Sequence, residues 1–249
     1  MNIWIVGGSS GIGLELVKRW LMQGHRVVAS ARGAERSEAL EALHNVYEPQ
    51  LLRLDLDVTR SDKTEEACRR AWDAFGGLDL WFYNAGAYEP MRAEAWELSH
   101  FERMAQINYL GAVRLMTHLL PYFERQGHGR WVFNGSLASY FGLPYGGGYS
   151  APKAALMNLA ESIQPELLAK NIKLQTINHG FVKTRLTDKN DFDMPELMAV
   201  ETAAEKIAEA LEGPYRFETH FPPKLSFFLR MLRVLPYGIA LALTRRMLK

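Results

Sequence analysis

The chain has 249 residues, 48% of them apolar, and a net charge of +1. That length suits one large α/β domain, and the near-neutral charge gives no general demand for nucleic acid. The single cysteine, Cys68, excludes an intrachain disulfide, and seven histidines without a close pair give no metal site.

In chain order, Asn2–Val6 reads as a short apolar strand. Gly7, Ser9, Ser10, Gly11, Ile12 and Gly13 form a glycine-rich turn, and an amphipathic helix follows over 11–23. Glycines let a backbone turn tightly and approach a ligand closely. A helix N-terminus then offers unpaired N–H groups to a phosphate, so a strand, this turn and a helix read as a dinucleotide site. Further strands are expected at 26–30, 51–56, 79–83, 130–134, 172–178 and 215–219. Helices are expected at 35–44, 62–75, 99–124, 150–169 and 200–211. Cys68 falls among helix-spaced apolar residues and reads as a buried thiol. This alternation predicts right-handed βαβ units and a doubly wound, mostly parallel seven-stranded sheet with helices on both faces. Ligands of such sheets sit beyond the carboxyl ends of the strands. The first apolar stretch has no basic flank and runs directly into the turn, unlike a secretory signal, so a cytoplasmic protein is expected.

The chemistry concentrates at Tyr149 and Lys153. Positions i and i+4 share a helix face, so the phenol and the ammonium can enter one site, with Ser136 thirteen residues upstream. A free phenol titrates near pH ~10 and a nearby cation favours phenolate. At the end of the second strand, Ala31 and Arg32 stand where an acid would bind the ribose 2′-hydroxyl of NAD. A guanidinium there matches a 2′-phosphate instead, which favours NADP(H). Arg36 reads as a solvated helix residue and a less certain helper.

Taken together, residues 2–220 resemble the short-chain dehydrogenase/reductase family. The resemblance implies a Rossmann-type domain and an NAD(P) cofactor. It maps the glycine motif to Gly7, Gly11 and Gly13, with Val6 where a threonine is usual. It maps an adenine-contacting pair to Asp57 and Val58. Tyr83-Asn84-Ala85-Gly86 resembles Asn-Asn-Ala-Gly, and Asn108, Ser136, Tyr149 and Lys153 match a catalytic tetrad. Gly180, Val182 and Thr184 match the segment that holds the nicotinamide, with His179 replacing its proline and expected to loosen the loop. The implied activity interconverts a carbonyl and a secondary alcohol. Ser136 and Tyr149 would bind the substrate oxygen, Lys153 the ribose, and Asn108 a water. Ser139, Tyr140 and Tyr145 would line the substrate site, and Tyr88, Leu137, Phe141, Phe181 and Met194 slightly favour an apolar substrate. An epimerase or dehydratase, or a cofactor-binding regulator without turnover, are the rival readings. The family pairs its helices at 99–124 and 150–169 into a homodimer or homotetramer. Pro165 is expected to kink or restart the second near Gln164.

Residues 221–249 form a distinct tail. From Pro214 onward there are seven Lys/Arg against Glu218 alone, a balance of +6. Two helical pieces broken at Pro236 are expected over 224–249, with Leu225, Phe228, Leu229, Leu232 and Leu235 as one apolar stripe. The stripe can pack on the substrate pocket or a second subunit, the tail can lie peripherally on a membrane, or it can stay disordered.

Overall fold

Alternation along each strand sends successive side chains to opposite faces. In β1 (Asn2–Val6), Ile3 and Ile5 face one core and Trp4 and Val6 the other. β4 (Leu80–Tyr83) and β5 (Gly129–Asn134) divide the same way, with Trp81, Tyr83, Trp131 and Phe133 in one layer. Both faces are therefore apolar, and helices cover both. The computed structural model describes residues 1–248. The remaining strands are β2 (Arg26–Ala31), β3 (Leu51–Asp55), β6 (Ile172–His179) and β7 (Glu218–Phe221). They form one sheet of order β3-β2-β1-β4-β5-β6-β7 in which every pair is parallel. The order reverses between β1 and β4, so the crevice for a ligand opens above their carboxyl ends.

The helices are α1 (Gly11–Met22), α2 (Glu38–Tyr47), α3 (Ser61–Asp73), α4 (Leu98–Ala105), α5 (Gly111–Gln126), α6 (Gly147–Ala169), α7 (Val200–Glu212), α8 (Pro223–Val234) and α9 (Tyr237–Arg245). Three expected boundaries move. Helix α2 starts at Glu38, because Gly33 takes a left-handed φ of 73° and Ser37 caps the helix by accepting from Leu40 N. Strand β7 starts at Glu218 rather than residue 215, in register with Thr176. Helix α6 begins three residues early, at Gly147, and runs unbroken through Pro165. The expected restart does not occur. Only one turn follows Pro165, and buried Ala160 and Leu167 on either side hold the helix against the core.

The expected single helix at 99–124 contains a π-helical turn, Gln106–Leu110, between α4 and α5. Tyr83 accounts for part of it: its hydroxyl donates to Ile107 O at 2.5 Å, and Gly111 leaves the room that phenol needs. π-Helical turns occur often at functional sites, and this one carries Asn108.

The tail divides at Pro236 as expected, into α8 and α9. Its apolar stripe packs inward. Leu229, Leu232 and Ala240 form a third cluster with Leu137 and Tyr140, joined by Leu225, Phe228 and Leu235.

Candidate active site

The glycine turn follows β1 at the reversal of strand order. Gly7 has φ 92° and Gly11 φ 54°, both left-handed values that suit glycine. At Gly13 an added Cβ would overlap the carbonyl oxygen of Gly7. With Val6 in place of threonine, the turn is tied by backbone and by Asn84. Gly7 N and Gly8 N donate to Ser30 O at 2.7 and 3.0 Å, and Asn84 Nδ2 donates to Gly7 O at 2.8 Å. The N-cap side chain, Ser10, makes no capping bond, and no acid lies in the first turn of α1. The N–H groups there remain available to an anion.

This turn borders a cavity of about 1220 Å³ that spans the carboxyl edge of the sheet. Gly7, Ser9, Ser10, Gly11, Ile12, Arg32, Asp57, Val58, Asn84, Ala85 and Gly86 line it. So do Ser136, Tyr149, Lys153, Gly180, Val182 and Thr184. Seven Lys/Arg line it against Asp57 and Asp193, a balance that suits a polyanionic ligand. Asp57 spends one carboxylate oxygen on its own loop, accepting from Thr59 N at 2.9 Å and Thr59 Oγ1 at 2.7 Å. Arg36 does not reach the cavity; its guanidinium lies against Gly33. The cradle that Gly7, Gly11 and Gly13 keep open, the free N–H groups and the cationic lining together fit a dinucleotide.

Two predicted site residues, Gly13 and Asn108, do not line the cavity. Gly13 acts by having no side chain. Asn108 is fully buried, and its amide pairs both ways with Ala87: Ala87 N donates to Oδ1 and Nδ2 donates to Ala87 O, each at 2.8 Å. The side chain therefore braces the strand β4 exit against the π-helical turn.

Tyr149 and Lys153 sit one turn apart on α6, Lys153 buried and Tyr149 half-buried at the cavity wall. Burial raises the Tyr149 phenol above its ordinary value, and the Ser136 hydroxyl offsets part of that rise. Lys153 donates to Asn134 O at 2.6 Å, and burial pushes its ammonium down to about 8. Its Nζ lies 5.8 Å from the centre of the Tyr149 ring. Burial thus works against the lowering expected from Lys153, whose ammonium is held against a carbonyl. Asn134 Oδ1 is buried nearby without a partner among the described residues, an acceptor left for a bound donor.

Ser136 is held by its neighbours. Its Oγ accepts from Ala138 N at 3.1 Å, and its backbone N donates to Asn178 Oδ1 at 3.1 Å. Asn178 Nδ2 donates to Glu218 Oε1 at 2.7 Å, and Glu218 also accepts from Tyr140 and Arg230. The tail helix α8 is so linked to the Ser136 loop through a chain of polar contacts. Of the residues expected to line the substrate side, Tyr88, Leu137, Tyr145 and Phe181 do so. Ser139, Tyr140, Phe141 and Met194 do not. Ser139 instead donates to Ser136 O at 2.7 Å. His179 is part of β6, stacks on Phe221 and shares a 2.8 Å contact from Nδ1 to Gly180 O. It ties the loop rather than loosening it, and burial pushes its imidazole down to about 4.

Sequence reasoning did not reach Asn134 as the Lys153 acceptor or the Glu218 network. It also missed the loop that crosses the mouth, where Lys189 pairs with Glu89 at 2.5 Å and Tyr88 donates to Asn190 Oδ1 at 2.7 Å. None of these contacts carries a local sequence pattern.

The profile of the family described as short chain dehydrogenase matches residues 1–194. An uncharacterized oxidoreductase of Myxococcus xanthus is 32% identical over 243 residues, covering 98% of this chain and 96% of its own. A short chain dehydrogenase from Burkholderia cenocepacia, solved in complex with NADP, superposes with a TM-score of 0.82 at 23% identity, over 99% of this chain and 97% of its own. An alcohol dehydrogenase from Thermococcus sibiricus, complexed with 5-hydroxy-NADP, gives 0.78 at 25% identity, over 89% and 96%. The chain belongs to the short-chain dehydrogenase/reductase family of oxidoreductases.

Proposed function

We propose that this oxidoreductase uses NADP(H) to interconvert a carbonyl and a secondary alcohol on an apolar substrate. One observation carries the reading: Ser136, Tyr149 and Lys153 converge on the same cavity as the glycine turn and Arg32. When bound, NADP(H) supplies or takes the hydride. Arg32, following Ala31 without an acid at that place, would hold the 2′-phosphate. Ser136 and Tyr149 present hydroxyl donors to the substrate oxygen as it gains negative charge. Tyr149 hands over its proton, and a raised phenol keeps that proton ready at neutral pH. Lys153 holds the ribose side of the site and, once drawn from Asn134 O, favours the phenolate left behind. Asn108 keeps the floor of the site rigid through Ala87.

Support for an apolar substrate comes from the apolar part of the cavity lining. Leu137, Phe181, Leu225, Phe228, Leu229 and Met247 belong to it. The test is loss of absorbance at 340 nm with NADPH and a panel of ketones, aldehydes and quinones. Tyr149→Phe should abolish turnover and leave NADPH affinity nearly unchanged. Wild-type turnover in that variant would reject the proton-donor assignment. NADPH binding without turnover on any substrate would favour the regulatory reading.

A further inference from the structure

Helices α8 and α9 present two apolar surfaces, and the inward one is already covered by the Leu137 cluster. The outward one is not. Phe227, Val234 and Tyr237 are 72%, 81% and 76% exposed, and Ile239 and Leu241 are more than half exposed. Single exposed apolar residues are ordinary, but these are grouped. Of fifteen large apolar side chains exposed among the described residues, seven fall between 227 and 248, five of them on α8 and α9 and outside the cavity. Cations intersperse them. Lys224, Arg233 and Arg245 are exposed and make no ion pair among the described residues, and no acid follows Glu218 in the sequence.

We propose that the outer face of α8 and α9 docks on an anionic lipid surface. An interfacial helix combines an apolar face with cations beside it and needs no spanning length. No described helix is long and apolar enough to cross a membrane. A second copy of the chain fits the same face less well. A two-fold interface sets a patch against itself, and this patch would bring cations to cations with no acid to receive them. Anionic headgroups receive them directly, each basic residue near the surface adding attraction. The position of the face has a consequence for access. Leu225 and Phe228 of α8 and residues 246–248 beyond α9 line the cavity, so docking brings its mouth to the lipid.

The experiment is flotation of the full chain with vesicles of phosphatidylcholine alone or mixed with phosphatidylglycerol. The chain is expected to float with the anionic vesicles and to leave them as salt is raised. Arg233→Gln with Arg245→Gln should lower partitioning roughly thirtyfold, about fivefold per charge. Phe227→Ser with Ile239→Ser and Leu241→Ser should abolish it. All five residues lie outside the cavity, and circular dichroism with thermal unfolding checks that each variant is folded. Equal or absent flotation with both vesicle types would overturn the proposal. So would loss of self-association in the serine variant when the intact chain binds no vesicles, which would assign the face to a second copy. Flotation does not depend on turnover, so its outcome is separate from that of the catalytic reading.

Discussion

Lys153 should make the protein less stable at neutral pH than its uncharged counterpart would be. A free lysine titrates near ~10.4, and burial on α6 pushes this one down to about 8. At about 1.36 kcal/mol per pH unit, holding the ammonium in the fold costs up to roughly 3 kcal/mol at pH 7. Lys153→Met removes that cost but leaves Asn134 O without its donor, a loss of about 1–3 kcal/mol. The two nearly cancel at pH 7, so pH dependence is the sharper observable. Above the folded value of about 8, the unfolded chain binds a proton that the folded chain has released. Wild-type stability must then rise with pH relative to the variant, by at most about 1.4 kcal/mol per unit, until the unfolded lysine also titrates near ~10.4. Below about 8 the difference should be flat. Urea unfolding of both proteins across this range measures it, and the other lysines and tyrosines cancel in the difference. Parallel curves would refute the claim that burial governs Lys153.

Three further outcomes are expected. Ala31→Asp with Arg32→Ile should shift the ratio of NADPH to NADH dissociation constants toward NADH, by adding a repelling carboxylate and removing a cation; an unchanged ratio assigns the phosphate to another residue. Gly13→Ala should abolish dinucleotide binding and destabilise the fold by roughly 1–3 kcal/mol, because its Cβ meets the Gly7 carbonyl and backbone must move; calorimetric titration with NADPH and thermal unfolding check this. Glu218→Ala strips the shared acceptor from Tyr140, Asn178 and Arg230. It should expose α8 to proteolysis and lower turnover while cofactor affinity holds, since the lost tie leads to the Ser136 loop rather than to the glycine turn.

Local signals determined much of this protein. Alternating apolar residues in β1 and β4, the glycines at 7, 11 and 13, and the four-residue spacing of Tyr149 and Lys153 each act over a few positions. Steric and periodic rules therefore make them legible without a fold. The break at Pro236 was legible for the same reason, because proline cannot donate to the helix ladder. Tertiary structure alone decided what each polar group meets. Nothing near Lys153 in sequence announces Asn134 O, nineteen positions away, as its acceptor. Nothing near Asn108 announces Ala87, and nothing near Ser136 announces Glu218 and Arg230 behind Asn178. The tail shows the difference most directly. Spacing showed that α8 has an apolar stripe, but only packing decided that the stripe closes over Leu137 and leaves Phe227 and Val234 outside. A helix sequence specifies its faces; which face is buried depends on the surface that the rest of the chain has already built.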